Sequence, residues 1–237
     1  MQIIFLLMTF ATIAFGQETW TVVRKENIAA PQATPDYQQI PISIILEEGT
    51  IWGSDLKVQL DKASQIFRQC GVEFGAVEVS YVKLSGPLVD SMKNPNPYKG
   101  PSELNFMKGD VGTTRPLIFL LGKQTPNGAK AFNATSIKKL SSWTVDASPL
   151  LNTTFITEQH HSHKPVPGSV ESYSTLAHEL AHLFGDFDHI NEMDNLMSNF
   201  EKPGSKTGRL NPEQCKMIQE HLLTWTLKEM TAEEDCP

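Results

Sequence analysis

The chain is short of positive charge, of cysteine and of long apolar runs, and each shortage excludes something. Its 237 residues carry 20 lysines and arginines against 27 aspartates and glutamates, a formal net charge of −7. That balance argues against nucleic acid or an anionic membrane as the main partner. Past residue 15 no apolar run is long enough to cross a bilayer, so no stable membrane insertion is expected. There is no internal repeat, and the length fits one medium-sized domain, expected to be a monomer. Cysteine is limited to Cys70, Cys215 and Cys236, which allows one disulfide and one free thiol in any of three pairings. A bridge involving Cys70 is favoured, because Cys215 and Cys236 lie at opposite ends of one expected helix.

The one long apolar run is N-terminal. Residues 3–15, IIFLLMTFATIAF, are too short for a comfortable membrane span and are followed by polar GQETW. Ala14 and Gly16 supply small residues where a signal peptidase needs them. Residues 1–16 are therefore expected to be a signal peptide cut before Gln17, although no Lys or Arg precedes the run. The alternative is a buried N-terminal element. No Cys lies near the cut, which argues against a lipid anchor there. Export places the chain outside the cell or in a periplasm, where disulfides persist. Residues 17–36, rich in Ala, Pro, Gln and Thr, are expected to form an extended arm or a short pro-segment, and residues 37–237 the main domain.

Apolar patterning then predicts alternating strands and helices. IPISIIL (40–46), VEFGAVEVSYVKL (72–84), PLIFLL (116–121) and NTTFITEQ (152–159) have the character of strands, with AFNATSI (131–137) as a short edge strand. A helix capped by Ser54 carries Leu56, Leu60, Ala63 and Phe67 on one face and stops at Gly71. Residues 85–114 are expected to be a long loop. A second helix starts between Ser169 and Ser174. A third begins at Asn211 as N-cap with Pro212 behind it, and carries Cys215, Ile218, Leu222 and Trp225. The order fits an α+β fold, a mixed twisted sheet with helices packed on it.

The second helix carries HELAHLFGDFDH, His178 to His189. Residues four apart on a helix share a face, so His178 and His182 can hold one zinc ion together. Glu179 points to the side, where it can take the proton of a zinc-bound water attacking a carbonyl. The competing interpretation is two histidines on an ordinary helix face. Gly185 is placed to end the helix in a left-handed turn, after which Asp188, three residues on, can face the metal. His189 is the alternative third ligand. Asp188 could also act from outside the ligand set, holding an imidazole.

The pattern HExxHxxGxxD, followed by Met197 in NLMS, resembles the metzincin clan of zinc peptidases. The usual third ligand of the clan is His; Asp at that position resembles the snapalysin-like members, where GxxDH also occurs. The close resemblance covers about 25 residues. It implies a metzincin-like domain whose active-site helix and C-terminal helix flank a zinc cleft, with Met197 in a Met-turn below the metal. It also implies Zn2+ as cofactor, a protein or peptide substrate, and the activity of an exported zinc metalloendopeptidase with Glu179 as catalytic base. Ser198 and Asn199 stand where many members carry a Tyr. By the same resemblance AFNATSI could be the sheet edge that receives substrate. The alternative function is a secreted metzincin-fold binding protein without catalysis, against which the intact Glu179 argues. A different zinc peptidase class would take its third ligand from a later Glu. Glu192 is the nearest, but it lies too close to His182 and leaves Gly185 unexplained.

HHSH (160–163) is a weaker metal candidate, and a solvated loop is the plainer account of it. Asn133 and Asn152 begin glycosylation sequons, relevant in a eukaryotic host.

Overall fold

A computed structural model describes residues 20–28, 36–84, 116–122, 131–134, 153–158, 174–186, 188–199 and 207–234. The expected signal peptide, the loop 85–114, HHSH, Asn152 and Cys236 lie outside the described residues.

The described strands form one six-stranded sheet, ordered β1-β3-β2-β4-β6-β5. They are β1 (Trp20–Ile28), β2 (Gln38–Glu47), β3 (Val72–Leu84), β4 (Leu117–Leu121), β5 (Ala131–Ala134) and β6 (Thr153–Thr157). The four inner strands run parallel, while β1 pairs antiparallel with β3 and β5 antiparallel with β6. Strand β1 thus falls within the segment expected as an arm. The β2–β3 register slips between Ile40 and Ile42, at Pro41, which has no N–H to give to a ladder. Strands β4 and β6 are buried along their whole length, as inner parallel strands require.

Three helices are described: α1 (Trp52–Phe67), α2 (Thr175–Gly185) and α3 (Pro212–Glu234). Alternate residues of the sheet, including Ile42, Ile44, Val79, Ile118 and Ile156, pack against them in the larger core. The opposite face buries Ile45, Leu117, Phe119, Leu121 and Phe155, with Phe119 stacked on Phe155 at 4.6 Å. The fold is therefore α+β with a mixed sheet, as its patterning predicts.

Helix α1 starts three residues earlier than a Ser54 cap predicts, with Ile51 at the N-cap position. Trp52 is fully buried and its Nε1–H donates to Leu121 O at 3.3 Å, which draws the first turn onto β4. Glu158 Oε1 accepts the Ile51 N–H at 2.5 Å, so a carboxylate from β6's end serves the helix N-terminus. Ser54 instead donates to Ile51 O. After a 3-10 turn at Arg68–Cys70, Gly71 takes the left-handed conformation at φ 69° and the chain enters β3.

Cys70 and Cys215 form a disulfide that fastens the first turn of α3 to this corner, and Gln219 Nε2 donates to Cys70 O at 2.7 Å beside it. The bridge spans 145 positions of sequence. Closing so long a loop removes much entropy from the unfolded chain, so a Cys70→Ala/Cys215→Ala protein is expected to lose about 2–5 kcal/mol. Chemical denaturation of the two proteins side by side measures the difference.

Candidate metal centre

Helix α2 runs through the core. Every residue from Thr175 to Gly185 is buried except His182, which is half-buried. Ser174 caps it, its Oγ accepting the Ala177 N–H at 3.1 Å. Such a helix cannot shift easily, and it carries His178 and His182 one turn apart on one side. Their rings meet edge to face, 5.0 Å between centroids. Glu179 is only 4 % exposed.

The helix ends one residue later than the sequence suggests. Gly185 is its last residue, and the left-handed position belongs to Asp186, at φ 48°, whose N–H donates to His182 O at 3.1 Å. Asp tolerates that conformation better than most side chains. On α3, His221 Nδ1 lies 3.0 Å from Phe184 O, in the last turn of the helix. The residue whose ring nitrogen lies with those of the two helix histidines is His189, the alternative third ligand. One nitrogen each from His178, His182 and His189 lie within 4.8 Å of one another, and this is the group of potential metal ligands found among the described residues. His189 and Asp188 are both exposed, and Asp188 lies outside that group. Glu192 is also exposed and outside it, and Asn211 Nδ2 donates to it at 3.2 Å.

His189 is held from the next residue. Ile190 N–H donates to Met197 O at 2.9 Å and Ile190 O accepts from Asn199 N–H at 3.0 Å, so the loop closes on itself. Met197 is fully buried in the larger core. Leu196 O faces His178 Nδ1 at 2.8 Å. A carbonyl only accepts, so Nδ1 carries the hydrogen and Nε2 presents a lone pair. That Nε2 lies 2.9 Å from His189 Nε2, with the two rings stacked at 25°.

This donor set fits zinc. A tetrahedral ion with nitrogens at about 2.0–2.1 Å spaces its ligands roughly 3.3 Å apart, within reach of these three rings. Three imidazoles leave a fourth position open, the arrangement of catalytic rather than structural zinc.

Burial pushes the His178 imidazolium down to about pKa 3, with His182 and His189 nearby adding to the effect; Glu179 and the Leu196 carbonyl oppose it. His178 is thus neutral and ready to bind metal at pH 7. Between pH 6.5 and about 3 the unfolded chain protonates this ring and the folded chain does not. Stability of the metal-free protein is therefore expected to fall with pH across that window, by up to about 1.4 kcal/mol per unit. Thermal melts at pH 7, 5.5 and 4.5 check this; a His178→Gln protein will show the shallower slope.

No family model matches the chain, and a search of curated proteins finds no relative. Solved structures do match. Metalloproteinase-II from Bacteroides fragilis superposes with a TM-score of 0.50 at 14% identity, over 86% of this chain and 58% of that one. Archaemetzincin from Methanopyrus kandleri gives a TM-score of 0.48 at 14% identity, over 80% of this chain and 98% of that one. The chain spans little more than half the length of the Bacteroides protein, and at 14% identity that similarity is one of fold.

Proposed function

We propose that the protein is an exported zinc-dependent endopeptidase of metzincin type, with His178, His182 and His189 holding the metal and Glu179 as general base. The observation that carries this is the convergence of three imidazole nitrogens within 4.8 Å beside a buried carboxylate. The fold similarity to a named metalloproteinase supports it. Asp188 as third ligand, the snapalysin-like variant, remains the competing assignment and is separable by mutation.

Zinc, when bound, supplies a Lewis acid that acidifies water and polarises a carbonyl. The protein's own residues do the rest. Leu196 O fixes the tautomer and tilt of His178. The rigid helix α2 keeps Glu179 next to the ligands, where it accepts the proton of the attacking water and returns it to the leaving amine. β5 is the antiparallel edge of the sheet among the described strands, the place where an extended peptide would add as a further strand. The Met197 loop forms the floor.

The test is incubation of the chain from Gln17 with a diverse peptide mixture and zinc, with products identified by mass spectrometry. Cuts that stop with a chelator and return with zinc are expected. A folded, zinc-loaded protein that makes no cuts would leave the non-catalytic binding protein as the better account.

A further inference from the structure

Behind the metal centre lies a buried pair of side-chain amides that no step above uses. Asn195 Nδ2 donates to Gln214 Oε1 at 2.9 Å and Gln214 Nε2 donates back to Asn195 Oδ1 at 3.2 Å. The two residues are 3 % and 4 % exposed. Each amide has a second task. Asn195 Oδ1 accepts the Met197 N–H at 2.8 Å, which sets the bend of the loop. Gln214 Oε1 accepts the Asn211 N–H at 2.8 Å while Asn211 Oδ1 accepts the Gln214 N–H at 2.9 Å, a reciprocal cap at the start of α3. Cys215, next along, is held by the disulfide.

The bend that Asn195 fixes exposes two carbonyls in the right directions. Leu196 O meets His178 Nδ1, and Met197 O meets the N–H of Ile190, the residue after His189. We infer that Asn195 and Gln214 are positioning residues of the metal centre, transmitting the fixed start of α3 to two of its three imidazoles through the 195–197 bend. This inference rests on the metal-centre reading for its consequence, but the geometry of His178 can be tested without metal.

The experiment compares wild type with Asn195→Ala and with Asn195→Leu/Gln214→Leu. Replacing both amides by apolar groups of similar size leaves no amide orphaned, so that only the Met197 and Asn211 N–H groups lose their acceptors. Phe119→Leu, on the far face of the sheet, controls for a general loss of stability. Nitrogen-15 spectra of the zinc-free proteins read the His178 tautomer, and chelator competition reads zinc affinity. Wild type and Phe119→Leu are expected to hold His178 as the Nδ1–H form. Both amide variants are expected to mix tautomers and bind zinc about 10–100-fold more weakly, as losing a partner behind a ligand does. An unchanged tautomer in the amide variants, zinc affinity within about threefold of wild type, or an equal change in Phe119→Leu would overturn the inference. If wild type binds no zinc, the metal reading falls, and the tautomer alone decides the positioning role.

Discussion

Zinc affinity is expected to fall by more than about 100-fold in His189→Ala and by less than about tenfold in Asp188→Ala. Losing a partner that merely orients a ligand costs roughly 10–100-fold, so losing one of three donors must cost more. His189 supplies a nitrogen 2.9 Å from that of His178 and shares a stacked face with it. Asp188, exposed like His189, contributes no atom to the group. Titration against a chromophoric chelator distinguishes the two proteins. The reverse result, loss in Asp188→Ala with retention in His189→Ala, would return Asp188 to the ligand set and imply that metal binding redraws the turn.

The choice between these neighbours shows where sequence reading stops. His178 and His182 are legible because a helix guarantees their common face. The cap of α3 is equally legible, since Asn211 as N-cap and Pro212 behind it carry their roles in local chemistry. The end of α2 is different. Local chemistry favours Gly185 for the left-handed position, yet Asp186 takes it. The decision is tertiary: α2 is buried to its last residue and His221 of α3 supports its final turn. On the proposed reading, a slip of one residue there would exchange a carboxylate for an imidazole as third ligand. The early start of α1 has the same character, because Trp52 is drawn in by a carbonyl 69 positions away. So does the Asn195–Gln214 pair, two polar residues whose partnership across 19 positions leaves no periodic trace.

Glu179→Gln is expected to keep zinc affinity, substrate KM and fold while lowering kcat about 10²–10⁴-fold, the usual contribution of a positioned base. The side chain is 4 % exposed and sits on a helix with no room to move, so the isosteric amide should occupy the same space. What it cannot do is accept a proton from water and hand it to an amine. A fall confined to kcat would place Glu179's role in the transition state and not in binding. The comparison also separates the two classes of function. A binding protein would hold peptide equally well with either residue and turn over neither. A peptidase would retain the peptide and lose the cut. Steady-state kinetics on a peptide taken from the mixture experiment, with zinc content measured in the same samples, gives the answer. A zinc-loaded Glu179→Gln protein keeping more than about a tenth of wild-type kcat would remove Glu179 from the base role. The proton would then have to leave through another group at the open side of the centre.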